Sequence, residues 1–154
     1  MKERFSSEEW ESLKILPVAV FVMVAGADGN VDQKEILEFA TQIGKGGMLK
    51  DELHRELIVD ISGNLKEVLQ KVGNPQAAKN LVDRTKGILK AKLSADEYQR
   101  FIGSLILSGV RIANASGGGF LGMGDKVSKE EKTVLAAIAI AWDLDPQSIS
   151  KHFS

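Results

Sequence analysis

Apolar residues recur three and four positions apart through most of this 154-residue chain, the spacing of one face of an α-helix. No run alternates apolar and polar residues as a half-buried strand would. Trp10, Leu13 and Leu16 mark a first helix, opened by Ser6 and Glu9 in the arrangement of a capping box. Ile15 to Ala27 is thirteen residues without a charge, too short to span a bilayer, and reads as a buried core helix. Leu105 to Ala115, interrupted by Arg111, reads the same way. Asp32 and Glu35 form a second box ahead of Ile36, Phe39, Ala40 and Ile43, which share one face. Further helices are predicted over 51–61, 65–72, 75–92, 95–115, 129–142 and 146–152, and Ser94 with Glu97 and Ser128 with Glu131 repeat the box. Pro17, Pro75 and Pro146 each suit the first turn of a helix, where a missing N–H costs nothing, and Asn74 and Asp145 are good N-caps for two of them. Gly103 and Gly109, inside a predicted helix, point to close helix–helix approach. The expected fold is an all-α bundle of about seven or eight helices in one domain, 1–154.

Composition narrows the function classes. Lys+Arg 20 against Asp+Glu 21 gives a net charge of -1, without the basic excess a nucleic-acid binder uses against phosphates. There is no cysteine, which removes disulfides, thiolate nucleophiles and sulfur-ligated zinc. His54 and His152 are far apart, so an imidazole-rich metal centre is not expected, and His54 reads as a surface or boundary residue. The stretch before the apolar run carries Glu3, Glu8, Glu9 and Glu11, unlike the positive start of a secretory signal. A cytoplasmic protein follows as the expectation, with at most peripheral association at the inner membrane.

The chain says nearly the same thing twice. Ala25-Gly26-Ala27-Asp28-Gly29-Asn30-Val31-Asp32-Gln33-Lys34-Glu35 is echoed by Ala113-Asn114-Ala115-Ser116-Gly117 and, after eight extra residues, Val127-Ser128-Lys129-Glu130-Glu131. Each copy is an apolar helix, a turn of small residues and glycine, a valine, an N-cap and a glutamate three positions on. Two pseudo-repeated halves are therefore expected, about 7–72 and about 75–154. These paired motifs, running on to Trp142-Asp143-Leu144-Asp145-Pro146, resemble the TerB-like family, small helical proteins of tellurite-resistance operons and their relatives. The resemblance implies a helical bundle with a pseudo-twofold arrangement, a non-enzymatic role in tellurite or other stress responses, and divalent-metal binding where the motifs meet. The second motif departs from the family pattern, with Ser116-Gly117 in place of Asp-Gly, and Asp125 in the inserted loop is placed to return the lost carboxylate.

Asp28, Asp32 and Glu35, with Asp125 and Glu131 as second-half counterparts, are the candidate metal ligands. Oxygen-only donors suit Ca²⁺, Mg²⁺ or Mn²⁺, and no organic cofactor is expected. Aligned with an EF-hand loop at Gly29, the first motif lacks side-chain ligands at Val24 and Gly26, so one copy is half a site. Each copy also has a purely structural reading, a capping box at Asp32 and Glu35 and an ordinary turn at Asp28-Gly29. The loop Gly117-Gly118-Gly119-Phe120-Leu121-Gly122 matches the letters of a dinucleotide fingerprint, but no strand precedes it. Phe120, Leu121 and Met123 either cover the core or form a partner-binding tip. Lys79, Arg84, Lys86, Lys90 and Lys92 read as the solvated face of an amphipathic helix, able to meet an acidic partner or anionic lipid, and Trp10 and Trp142 as core anchors. The expectation is a non-enzymatic protein without a small-molecule substrate or nucleic-acid ligand, binding a divalent cation and acting through protein partners. The alternative is a metal-free helical protein-interaction adaptor, acting near a membrane or in a larger assembly.

Overall fold

A computed structural model describes residues 1–27, 33–116 and 129–144, with the side chains of Ala115, Ser116 and Glu131 outside that description. The described residues form eight α-helices and no strand: α1 (Ser7–Leu13), α2 (Leu16–Ala25), α3 (Gln33–Gly44), α4 (Glu52–Ser62), α5 (Leu65–Val72), α6 (Pro75–Lys92), α7 (Ala95–Ser116) and α8 (Lys129–Ala141). Short 3-10 turns precede α1 (Lys2–Arg4) and α4 (Gly46–Met48). The core helix expected over 15–27, with Pro17 in its first turn, is α2, and Leu16, read with the first helix, opens it instead. Pro17 has no N–H to offer the carbonyl of Leu13, and its ring crowds that carbonyl, so α1 stops and α2 starts with proline in its first turn.

α2 is the axis of the bundle. Leu16, Val18, Ala19, Val20, Phe21, Val24 and Ala25 are all buried, so this helix has no polar face and has to be covered on every side. α6 and α7 supply most of the cover, with α5, α8 and α4 closing the remainder. α3 packs on α7 and α4, and α8 packs on α7 and α2.

Close approach is settled at particular positions. A Cβ on Gly109 would lie 2.8 Å from the Leu135 side chain and 3.3 Å from that of Val20, so α7 meets α8 and α2 there without a side chain of its own. Gly103, by contrast, faces open space and does not mark a helix contact. Gly26 ends α2 against Pro75 at the start of α6: a Cβ there would sit 2.7 Å from the Val22 carbonyl oxygen and 2.9 Å from the proline ring.

Caps and ion pairs fasten the helix ends. Both bonds of the capping box form at Ser6/Glu9 and at Ser94/Glu97, and Asn74 accepts the Ala77 N–H at 3.0 Å. α8 closes in a Schellman arrangement, with Leu144 N–H donating to the Ala139 carbonyl and Asp143 N–H to that of Ile140. Asp143 takes a positive φ of 55°, and its carboxylate lies against Lys86 and Lys90 of α6. The basic face of α6 is thus solvated and also ion-paired, since Lys92 reaches Glu9 and Lys79 reaches Asp83. The predicted helix 146–152 and its cap Asp145 lie outside the described residues.

Gly26→Ala is expected to destabilise the fold by about 1–3 kcal/mol, because the new methyl meets a backbone oxygen that cannot give way. Gly103→Ala is expected to stabilise it by up to ~1 kcal/mol, the ordinary helix-propensity gain. Urea unfolding of the two variants beside the parent checks both signs.

Candidate functional site

The first repeated motif is built from the C-terminal end of α2 and the first turn of α3. α3 turns one face inward, carrying Glu35, Phe39 and Gln42 at helical spacing, all buried. Phe39 stacks on Phe21 of α2, with ring centroids 4.4 Å apart and planes within 2°. One turn on, the Gln42 amide donates to the Ser108 carbonyl of α7 at 3.3 Å and to Glu38 at 3.2 Å. These contacts fix the rotation of α3 between α2 and α7, and that rotation carries Glu35 into the interior, only 2% exposed.

The glutamates of the capping boxes at Ser6 and Ser94 lie less deep. Glu9 and Glu97 hold the same third helical position, but each is half-buried and takes a basic partner, Lys92 at 3.4 Å and Arg4 at 2.8 Å. Hydrogen bonds from Arg4 and Ser94 pull the Glu97 carboxyl down to a pKa of about 2. Glu35 sits deeper than either of them.

Of the other candidate ligands, Asp28, Asp32 and Asp125 lie outside the described residues, as do the loop residues Phe120, Leu121 and Met123. Glu131 falls in the first turn of α8, with its side chain outside the description. Among the described residues no three acidic or histidine side chains gather as a metal site. No helix among them is long and apolar enough to cross a membrane.

His54 is corrected from surface to core. It is 1% exposed on α4, and its Nδ1 lies 2.7 Å from the Ser104 hydroxyl of α7. Its ring meets Phe101 edge-on. The signal was in the sequence: positions 54, 57, 58 and 61 form one stripe, and His54 shares it with Leu57, Ile58 and Ile61, all buried. Burial, aided by the nearby Arg111 charge, pushes its pKa down to about 4, so the imidazole is neutral near neutral pH. Trp10 and Trp142 are both buried as anchors, and Trp10 donates its indole N–H to Asp60 at 2.6 Å. That carboxylate also receives Lys2 at 2.8 Å, and these two donors hold its pKa below the usual range.

The neutral, buried state of His54 has a sign in stability. The unfolded imidazole takes up a proton near its ordinary pKa and the folded one near 4, so this contribution is full above the unfolded value and fades as pH falls. Between about pH 7 and about pH 5 the loss should be roughly 2 kcal/mol. Urea unfolding across that window is expected to show it in the parent and not in His54→Gln, which keeps a polar side chain without the titration.

No family model, no curated protein and no solved structure matches this chain.

Proposed function

We propose that the protein is a non-enzymatic helical module of the TerB-like, tellurite-resistance and stress-response type. In this reading it binds a divalent cation through its two acidic motifs and acts through protein partners in the bacterial cytoplasm, at most peripheral to the inner membrane. The observation that carries the reading is the repetition of one acidic, helix-opening motif in the two halves of the sequence. Glu35 opens the very helix that the repeated motif introduces.

The donor set is all oxygen, which fits Ca²⁺, Mg²⁺ or Mn²⁺. Asp28, Asp32 and Glu35 of the first motif would hold the ion together with Asp125 and Glu131 of the second. The cation would supply the positive charge that relieves repulsion among these carboxylates. The role of the chain's own residues is to bring the two motifs together, with α3 fastened to α2 by Phe21 and Phe39 and to α7 by Gln42.

A second reading, a metal-free interaction adaptor, draws on a different observation. Ile36 is 51% exposed and Leu37 67%, although both stand on an otherwise amphipathic helix. Ile36 borders an apolar groove of about 430 Å³ walled by Phe21, Ala40, Leu65 and Leu69. Apolar exposure of this kind suits a partner.

Calorimetric titration of Ca²⁺, Mg²⁺ and Mn²⁺ into chelator-treated protein separates the two. Saturable binding is expected in the parent, with none in Asp28→Ala/Asp32→Ala and a large loss in Glu35→Gln. At a hundredfold excess over Kd the cation should add about 2.7 kcal/mol of stability, read as a rise in melting temperature. No heat and no change in melting temperature would leave these carboxylates as caps and favour the adaptor.

A further inference from the structure

A groove of about 930 Å³ runs between α7 and the chain entering α4, on residues that belong to neither acidic motif. Its floor is one polar stripe of α7: Arg100, Ser104, Ser108 and Arg111, at steps of four, four and three residues. Gly103 opens the floor further, with nothing within 4 Å of where its Cβ would be. Lys50 and Met48 stand on the opposite wall.

The charges of this groove are unevenly satisfied. Four carboxylates line it, and each has an internal partner. Glu97 is paired with Arg4, and Glu3 and Glu52 with the α-amine of Met1. Asp51 caps α4 by accepting the His54 N–H at 2.9 Å. Lys50, Arg100 and Arg111 are exposed and make no ion pair or hydrogen bond among the described residues. Asp51 is the acid whose field reaches Arg100, and it remains outside ion-pair distance. Two exposed apolar side chains lie among these cations, Met48 at 81% and Leu107 at 37%.

We propose that this groove docks an extended acidic peptide segment of a partner protein. The spacing selects the shape of the ligand. Arg100 and Arg111 are eleven residues apart on one helix, about 16 Å along its axis, too far for one phosphate or one carboxylate to bridge. An extended strand rises about 3.3 Å per residue, so acidic residues five positions apart span the same distance. The intervening side chains meet Leu107 and Met48, and the peptide backbone runs over Gly103 and the serine hydroxyls. His54 holds the Ser104 oxygen at the floor from behind. The proposal is independent of cation binding, because none of these residues is a candidate ligand.

Fluorescence anisotropy with a labelled hexapeptide, glutamate at its first and last positions and leucine, serine and glycine between, tests the proposal in the presence of EDTA. Saturable binding is expected, at least tenfold weaker in R100E/R111E and weakened by salt. The equally charge-reversed K66E/K79E, changed on other faces, should bind as the parent does, and a peptide with lysine for glutamate should not bind. Among the described residues neither arginine makes a hydrogen bond or ion pair, and circular dichroism of the variant confirms its helix content. Absence of saturation up to about 1 mM peptide, or equal affinity in both double variants, overturns the proposal. Equal competition by free glutarate overturns it in favour of a small-anion site. A concentration-dependent dimer lost in R100E/R111E overturns it in favour of a second copy of this chain.

Discussion

The fold depends on the fact that α2 has no side that can face water. Ten residues from Leu16 to Ala25 carry no charge, and eight of them are buried. A helix of that kind cannot lie on a surface, and the chain has to be long enough to wrap it. α6 and α7, the two longest helices, do most of this, and their amphipathic patterns follow from having one side against α2 and the other in water. Gly109 and Gly26 are consequences of the same demand, one letting α7 and α8 close over α2, the other letting Pro75 start α6 against its end.

Polar groups drawn into this arrangement are mostly used as fasteners between helices distant in sequence. Asp60 of α4 takes the Trp10 indole of α1 and the Lys2 ammonium together, and the Tyr98 hydroxyl of α7 donates to the Trp142 carbonyl after α8 at 2.9 Å. Asp143 stands in the left-handed region, which costs a non-glycine residue roughly 1 kcal/mol, and two lysines of α6 hold it there. The exception is the indole N–H of Trp142, which is fully buried and finds no acceptor among the described residues. A full hydrogen bond forgone in the interior costs about 1–3 kcal/mol, and here the burial of the largest side chain in the core offsets it.

Local rules were legible in the sequence and relative placement was not. Helices 65–72 and 75–92 could be bounded to the residue because Gly73, Asn74, Pro75 and Ser94 each act within one turn. Pro17 marked the start of the second helix in the same way, and only Leu16 was assigned to the wrong side of it, because apolar spacing continues across the boundary. His54 was misplaced because a single imidazole on an apolar stripe reads as a boundary until its partner is known, and that partner, Ser104, is fifty residues away. For the candidate site, the sequence identified Glu35 as a helix-opening acid, but its depth follows from the rotation of α3. That rotation is set by Phe21 and Ser108, which no local pattern connects to it.

The acidic motifs and the cationic groove share one element, α7, whose exposed stripe forms the groove floor and whose last residues, Ala113-Asn114-Ala115-Ser116, open the second motif. A shared helix does not by itself couple two sites. Coupling needs an element with two discrete arrangements that each ligand favours differently. α7 is poorly suited to that part. Gly109 lies midway between Ser104 and Asn114, and the space a Cβ would take there is already filled by Leu135, Val20 and Val24. Close-packed contacts of this kind resist graded displacement. The packing around Gly109 thus favours a single seat for α7 against α2 and α8.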